Sequence, residues 1–445
     1  MDMEYFVKRC LRESWDEEEI VDRLTSIIEY YKGIGVENSR KLSQAVFDEV
    51  VVTESLARTD LLTYPETGIH MGEFGVGSRG QGDFYVHSKI AEIIGNTRVD
   101  SLVNPTAQDD GGVVEVDGSR FITTAIDGIH SRLGDYPFLA GFHTARATLR
   151  DVCVMGAKPV ALISDIHLAD DGDIAKLLDF TSGVCAVSEL TDVPLVSGST
   201  LRVGGDMVLG DRLVGAVGAV GASVDEPTAR SNIVSGDVII MTEGSGGGTI
   251  TTTAIYNNYS DVIGETLNVQ FIRASVVLNS VDDIHAMTDI TNGGINGDCN
   301  EINKSTGLGI HLFRERIENL INPHVLAMLN DLDIDPFGVS IDSLMIVVSE
   351  DVVDDILDVL SVNGIRADVI GFVDDSGLTV VEDEDASVSV LKPKFREAAY
   401  TPVKKVVDGF NFVDFDDAVK RIDDVTLDVI KKKDNIVRWI NSRYE

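Results

Sequence analysis

Residues 106–127, "TAQDDGGVVEVDGSRFITTAID", place two neighbouring carboxylates, Asp109 and Asp110, directly before two glycines and an apolar strand. A second predicted strand, residues 120–127, ends on Asp127, and another glycine follows it. Because glycine has no side chain, nothing beside the acidic pair covers its charge. Adjacent carboxylates repel each other unless a cation lies between them. This stretch therefore predicts a strand-rich unit that carries acidic groups toward a positive charge.

Predicted strands alternate with predicted helices along most of the chain, which is typical of α+β units built from βαβ pieces. The strands of the first unit are predicted at residues 120–127, 160–169, 193–200 and 211–220, and its helices at 138–156 and 173–190. The strands of the second unit are predicted at 238–244, 307–313, 343–350 and 367–373, and its helices at 269–284 and 351–364. Two such units commonly hold a ligand in the cleft between them.

Helical segments are predicted at both ends of the chain. Ser14 and Glu17 predict a capping box for an early helix that ends at Gly33, and residues 415–440 predict a long amphipathic helix. We therefore expect four regions: a helical arm at 1–70, a first domain at 71–225, a second domain at 226–390 and an extension at 391–445.

The charge of the chain limits its partners. Its 445 residues carry a net charge of −37, which repels nucleic-acid phosphates and anionic lipid. The four cysteines form no C-x-x-C pair, so neither a zinc site nor a disulfide framework is predicted. The first residues lack the apolar segment of a signal peptide, and no apolar run reaches the ~18 residues of a membrane span. We expect a cytoplasmic protein that binds neither nucleic acid nor membrane.

Further carboxylates join Asp109, Asp110 and Asp127 as candidates for a cation site. Asp151 lies among apolar residues of the predicted helix 138–156, where an ionised acid needs a partner. Oxygen ligands without nearby His or Cys pairs favour Mg²⁺, which usually also binds substrate phosphates. The alternative for each acidic pair is a solvated surface, since Asp-Asp pairs recur throughout this acidic chain.

Three glycine-rich segments are candidates for binding phosphate. Residues 72–82 include Arg79, residues 242–258 lead into a predicted helix, and Asp289, Thr291 and Asn292 precede a double glycine and another helix. The alternatives are a hinge, a flexible linker and a capped turn, respectively. His130, His143 and His167 lie near the acids in sequence, and a hydrogen-bonded structural role fits them better than a role as base.

Several motifs together resemble a known family. "AQDDGGVV", "TTAIDGIH", "RDVCVMGAKP", "PLVSGSTLR" and "MTDITNGG" occur in the order and spacing of the aminoimidazole ribonucleotide (AIR) synthetase superfamily, over residues 72–385. Its members include thiamine-monophosphate kinase, selenophosphate synthetase, formylglycinamidine ribonucleotide synthetase and a hydrogenase maturation factor. The chain looks most like the AIR synthase-related proteins. The resemblance implies a two-domain α+β fold. Its N-terminal α/β half pairs into a dimeric β-barrel, and its C-terminal half is an α/β sandwich, here with an added helical arm and C-terminal helix.

The resemblance also implies ATP and Mg²⁺ as cofactors and assigns site residues. The metal ligands would be Asp109, Asp110, Asp127, Asp151 and Asp289. Asp127 and Asp151 would serve the catalytic step. The nucleotide would contact Arg79, Gly80, Gly82, Asp109, Asp127, Arg202, Thr291 and Asn292.

The chain departs from its relatives at defined positions. Ser199 and Asn292 stand where the kinase has acids, which puts the number of metal ions in doubt. Selenophosphate synthetase has a reactive Cys or selenocysteine in its glycine-rich loop, and "GSRGQG" has none. The hydrogenase factor uses a C-terminal cysteine, whereas this sequence ends in "NSRYE". We therefore expect neither of those two activities.

These observations predict an ATP- and Mg²⁺-dependent enzyme that activates an oxygen of a small-molecule or protein substrate by phosphoryl transfer. The alternative is a non-catalytic ATP-binding subunit that assists a metalloenzyme. A homodimer is expected, and the terminal helices are candidates for docking a protein partner. A purely structural protein would leave acids at strand ends beside glycines without a reason.

Overall fold

The structure is a computed structural model that describes residues 1–77, 80–97, 101–107, 109–279, 281–290, 293–392, 400–410 and 413–444. Three predicted nucleotide contacts, Arg79, Thr291 and Asn292, lie outside the described residues. The helices are α1 (Met3–Arg12), α2 (Glu17–Lys32), α3 (Val36–Glu54), α4 (Met71–Phe74), α5 (Gln81–Gly95), α6 (Pro137–Val154), α7 (Ala175–Thr191), α8 (Gly248–Asn257), α9 (Ser260–Glu265), α10 (Gln270–Leu278), α11 (Gly294–Thr306), α12 (Arg314–Leu320), α13 (Pro323–Asp331), α14 (Val353–Val362), α15 (Pro402–Asp408) and α16 (Phe415–Asn441). The strands are β1 (Gly112–Val116), β2 (Arg120–Gly128), β3 (Lys158–Leu168), β4 (Leu195–Arg202), β5 (Leu213–Ser223), β6 (Val238–Thr242), β7 (Ile284–Asp289), β8 (Gly309–Phe313), β9 (Leu344–Val348), β10 (Ala367–Asp374), β11 (Thr379–Glu382) and β12 (Val388–Val390).

The first sheet has the strand order β1-β2-β5-β3-β4, antiparallel except for the β3–β4 pair. Helices α6 and α7 cover one face, where Leu162 and Val217 of the sheet pack against Leu149 of α6 and Phe180 of α7. The opposite face leaves Ile126 and Ile163 exposed. The described residues of this single chain form an open sheet, not a closed barrel.

The second sheet has the order β12-β11-β8-β10-β6-β9-β7 and is covered on both faces. Residues of β6 alternate between the two covered faces: Ile239 and Met241 pack with α8 and α11, while Ile240 packs with α10 and α14. This alternation follows from the two-residue period of a strand. The result is a three-layer α/β/α sandwich.

The helical arm packs against the first sheet unit through a long loop. Met3, Val7 and Leu24 share a core with Leu209, and the Met1 amino group donates to the Leu209 carbonyl oxygen at 2.7 Å. The predicted Ser14 capping box is wrong: Asp16 caps α2 by accepting from the Glu19 N–H at 2.9 Å. Ser14 instead adopts a positive φ of 64° in the turn after α1.

The C-terminal helix α16 lies against α5. Phe415 stacks on Phe74 with ring centroids 5.2 Å apart, and the Lys89 ammonium contacts Asp423 at 2.8 Å. Helix α16 is thus held by α4 through Phe74 and by α5 through Lys89.

Two parts of the sequence-based prediction needed correction. The helix predicted at residues 269–284 ends at Leu278, and residues 284–289 form the edge strand β7, which was not predicted. Asp283 adopts a positive φ of 62° between them, which is incompatible with a continuing helix.

Within the described residues, no helix combines the length and the apolar character that crossing a membrane requires.

Candidate functional site

A cavity of about 1040 Å³ lies where the two sheet units meet, with lining residues from both. Every carboxylate predicted as a metal ligand lines it: Asp109, Asp110, Asp127, Asp151 and Asp289. They come from the turn before β1, the end of β2, helix α6 and the end of β7. Residues up to 180 positions apart in sequence therefore share one space.

Gly111 allows the acidic turn to lie against α6. A Cβ at this position would be 3.0 Å from the Met155 side chain and 3.3 Å from the backbone oxygen of Asp151. Such contacts are tighter than side chains normally accept. The glycine beside the acidic pair therefore brings Asp109 and Asp110 close to Asp151, which explains its place in the opening stretch.

Arg230 holds the acidic pair from the linker between the two units. Its backbone N–H donates to Asp109 at 2.9 Å, and its buried guanidinium contacts Asp110 at 3.1 Å and Glu301 at 2.8 Å. The Thr288 hydroxyl also donates to Asp110, at 2.8 Å. Part of the negative charge is thus neutralised by the chain itself.

A second buried ion-pair network joins α6 to the second unit. Arg146 contacts Asp342 at 2.7 Å, and Arg150 contacts Asp289 at 2.9 Å and also pairs with Asp342. Arg146 also donates to the backbone oxygens of Thr266 and Asn268, both at 2.8 Å, and to that of Gly246 at 3.0 Å. These contacts fix the walls of the cavity relative to each other.

Asp151 is the carboxylate most affected by its surroundings. Burial raises its pKa well above the usual value, and the negative charges of Asp127, Asp289 and Asp110 raise it further. Burial also raises the pKa of Asp109. A carboxylate at this point is unfavourable in its charged form unless a cation accompanies it.

The end of the cavity beyond Asp127 has a different character. The residues that line this end include His130, Arg132, Tyr400 and Lys404. Helix α15 and the two residues before it therefore form part of the cavity wall. His130 is half-buried, and burial together with the charges of Lys404 and Arg132 lowers its pKa to about 4. His143, buried nearby, has its pKa lowered well below the usual value by burial and by Arg146 and Arg150.

The glycine-rich segment before α8 lines the cavity through Gly247, Gly248 and Thr249. A Cβ at Gly247 would be 3.1 Å from the Arg146 guanidinium, so glycine is needed for this approach. Its backbone lies at the N-terminus of α8, where N–H groups lack partners within the helix.

Other predicted nucleotide contacts lie elsewhere in the described chain. Gly80 caps α5, and Gly82 packs on the Phe74 backbone; neither lines the cavity. The structure does not bring Arg202 to the cavity either, because Asp170, at 2.8 Å, and Asp206 hold its guanidinium on the surface. Its position at the end of a strand gave no sign of these two partners.

The candidate ligands fit a Mg²⁺ ion that is bound by the protein and a nucleotide together. They do not fit a metal ion bound by protein side chains alone. All the candidate ligands are carboxylate oxygens, and Asp151 sits in an excess of negative charge. Yet among the described residues no three His, Cys, Asp or Glu side chains are close enough together to hold a metal ion. Mg²⁺ commonly uses one or two carboxylates and completes its shell with phosphates and water.

Sequence reasoning missed the basic residues of the site. Arg146 and Arg150 are one helical turn apart and face the same way, so two charged residues in an otherwise apolar helix could have signalled a buried network. Arg230, Asp342 and Tyr400 gave no local signal.

Comparison with known proteins places the chain in a family. The family model described as "AIR synthase related protein, N-terminal domain" matches residues 108–222, and the corresponding C-terminal domain model matches residues 234–384. Together the two matches cover more than half of the chain.

Individual relatives differ widely in similarity. An uncharacterized protein of Methanocaldococcus jannaschii is 50% identical over 100% of this chain and 99% of its own length. The selenide, water dikinase of Rhizobium meliloti is 28% identical over 51% of this chain and 64% of its own length. The crystal structure of the hydrogenase maturation protein HypE in complex with ATP has a TM-score of 0.52 at 19% identity, and the match covers 70% of this chain and 96% of that one. The family models and the shared fold lead to one conclusion: the chain belongs to the AIR synthase-related protein family.

Proposed function

We propose that the protein is an ATP- and Mg²⁺-dependent enzyme that transfers the γ-phosphoryl group of ATP to an oxygen of a small substrate. The observation that carries the proposal is the convergence of five carboxylates from four separate elements on one cavity. The HypE structure was determined with ATP, and a relative is named as a dikinase, which supports the nucleotide part of the proposal.

In this proposal, Asp127 and Asp151 hold the metal together with the nucleotide phosphates. The metal supplies positive charge that stabilises the transferring phosphoryl group. Asp109 and Asp110 form the neighbouring wall, where Arg230 limits their repulsion. The N-terminus of α8 lines the same cavity, and helix N-termini commonly bind phosphate oxygens. The chain contributes position and electrostatics, and no covalent intermediate is required.

Isothermal titration of purified protein with ATP, with and without Mg²⁺, tests the proposal. We expect ATP to bind in the presence of Mg²⁺, and Asp127→Asn to weaken that binding about tenfold or more, since a removed metal ligand is seldom replaced. Asp117→Asn is the matched control, because Asp117 lies in the exposed turn between β1 and β2, where among the described residues it contacts Arg120 and the Ser119 hydroxyl. Equal Mg²⁺-dependent affinity in Asp127→Asn and wild type would contradict the proposal.

A second candidate is a non-catalytic ATP-binding subunit that assists the assembly of a metalloenzyme. The observation that favours it is that Arg150 and Arg230 already pair with Asp289 and Asp110, which leaves fewer carboxylates for metal. Ser199, in place of a family acid, points the same way. Phosphate release measured across a panel of metabolites separates the candidates: the subunit would bind ATP and show no stimulated turnover.

We propose that the chain has domain boundaries near residues 70, 225 and 390. We also propose that it forms a homodimer through the open face of the first sheet. The apolar residues Ile126, Val196 and Leu201 are more than half exposed on this sheet. Exposed apolar side chains on a sheet face often mark a site of contact with another protein surface. The terminal helices remain candidates for a protein partner, and the localisation we propose is cytoplasmic.

A further inference from the structure

The cavity has two electrostatically distinct ends, and the C-terminal extension builds one of them. The carboxylate end contains Asp127, Asp151 and Asp289. The other end contains His130, Arg132, Tyr400 and Lys404, and it carries basic groups and no acidic residue of the metal set. Residues 400–407 lie beyond both matched family domains, which end at residue 384. The extension therefore contributes Tyr400 and Lys404 to this wall, beside His130 and Arg132 of the first family domain.

Hydrogen bonds attach this extension to the first and second units. Thr252 donates its hydroxyl proton to the Gly248 carbonyl at 2.7 Å, so its oxygen can only accept from His130 Nδ1 at 3.1 Å. His130 Nε2 then accepts from the Tyr400 hydroxyl at 3.1 Å. The Asn257 side chain donates to the Tyr400 carbonyl at 3.4 Å, and Thr401 is buried. The segment is thus held in place at the mouth of the cavity.

The basic groups at this end face the cavity. The Arg132 guanidinium lies over the Tyr256 ring at 4.1 Å, and within the described part of the chain it forms no ion pair with a carboxylate. Lys404, in the first turn of α15, lines the same space. His130 between them is neutral at pH 7, since its pKa lies near 4. A half-buried guanidinium that lacks a carboxylate partner is suited to an anionic ligand.

The cavity is large. Its volume of about 1040 Å³ lies just above the roughly 300–1,000 Å³ of typical ligand pockets. A nucleotide held at the carboxylate end would therefore leave room at the basic end.

We propose that residues Arg132 and Lys404 form the substrate subsite of the enzyme and select a small substrate that carries a carboxylate or phosphate group. This inference rests on the proposed function, because it assigns the acceptor to the space beside the nucleotide. It deepens that function by naming the substrate class: acidic small molecules bind, and cationic or neutral ones of the same size do not.

Titration with simple probes tests the proposal on the full-length protein. Malonate and inorganic phosphate serve as anions, and malonamide is the neutral counterpart of malonate. Each is titrated into wild type saturated with a non-hydrolysable ATP analogue and Mg²⁺, and again into protein without nucleotide. We expect malonate or phosphate to bind in both states and malonamide to bind in neither.

Two variants and two matched controls assign the binding to this end of the cavity. Arg132→Gln and Lys404→Gln are each expected to weaken anion binding about tenfold, because each removes one charged contact. Arg120→Gln and Lys405→Gln should bind as wild type does. Arg120 pairs with Asp117 on an exposed turn, and Lys405 donates to the Leu332 carbonyl outside the cavity.

The outcomes separate this proposal from the broader one. Wild-type affinity for malonate in both Arg132→Gln and Lys404→Gln overturns the subsite. Loss of anion binding on saturation with the nucleotide analogue also overturns it, because the basic end would then hold the nucleotide's own phosphates. If no nucleotide binds but the anions still bind through Arg132 and Lys404, the phosphoryl-transfer proposal fails while the anion subsite stands.

Discussion

Asp151 illustrates at the residue scale how a buried carboxylate reduces the stability of the fold. Its raised pKa means that the folded protein disfavours the charged form, mainly because of burial and then because of neighbouring acids. A carboxylate whose pKa is raised on folding stabilises the protein below its unfolded pKa, and that contribution is lost as the pH rises through its folded pKa. At pH 7, in the absence of a cation, the charged side chain is therefore unfavourable.

Asp151→Asn is expected to stabilise the protein without ligands and to weaken its binding of ATP and Mg²⁺. The neutral isostere removes a charge that the fold disfavours, which should raise the free energy of unfolding at pH 7 by about 1 kcal/mol. Urea unfolding without nucleotide and titration with ATP and Mg²⁺ measure the two effects. Asp117→Asn, in the exposed turn between β1 and β2, is the control and should change neither. A destabilised Asp151→Asn protein would contradict this account of the site.

At the scale of elements, His130 joins the end of β2 to α8 and to the segment that leads into α15. The folded protein keeps it neutral, with a pKa near 4, whereas in the unfolded chain the value is close to 6.5. Between pH 4 and pH 6.5, the unfolded chain therefore binds up to one more proton than the folded protein does. The stability that the neutral ring provides is present above pH 6.5 and is lost as the pH falls toward 4.

Wild type is expected to lose roughly 1–2 kcal/mol more unfolding free energy than His130→Gln between pH 7 and pH 5. Comparison of the two proteins by urea unfolding removes the contributions that they share, including that of buried His143. His324→Gln should follow wild type, because His324 is exposed beside Glu265. Parallel pH profiles of wild type and His130→Gln would mean that the ring is not kept neutral by the fold.

At the scale of the whole molecule, the uncovered face of the first sheet is the surface through which we propose that two chains associate. Ile163 lies on this face opposite α6 and α7, and its neighbour across the strand, Gly218, leaves it room. A charge in the middle of an apolar interface is strongly unfavourable when desolvated.

Light scattering on wild type is expected to give twice the chain mass of 48.1 kDa, and Ile163→Asp should give a single chain mass. Val362→Asp is the control, because Val362 is 87% exposed at the end of α14, away from this sheet. A wild-type monomer at micromolar concentration would refute the dimer, and a dimeric Ile163→Asp would place the interface elsewhere.

The sequence by itself determined the main elements and the acidic half of the site. Strand and helix periodicity depends on neighbours a few residues apart, so β2, β5, α6 and α16 could be predicted close to their observed bounds. Asp109, Asp127 and Asp151 could be chosen because glycines or apolar neighbours make their local context unusual. Edge strand β7 was missed because Ile284 was assigned to the end of the predicted helix 269–284 and the following residues to a polar turn before the double glycine.

Only the tertiary structure decided which charges meet. Arg230 and Asp110 are separated by 120 positions and Tyr400 and His130 by 270, and neither residue of a pair changes the local pattern around the other. From the sequence alone, a single arginine in a linker is predicted to lie on the surface. Its burial between acidic side chains follows only from the tertiary structure. The physical reason is that backbone preferences are local, whereas the cost of burying a charge depends on every group that the fold brings within a few ångströms.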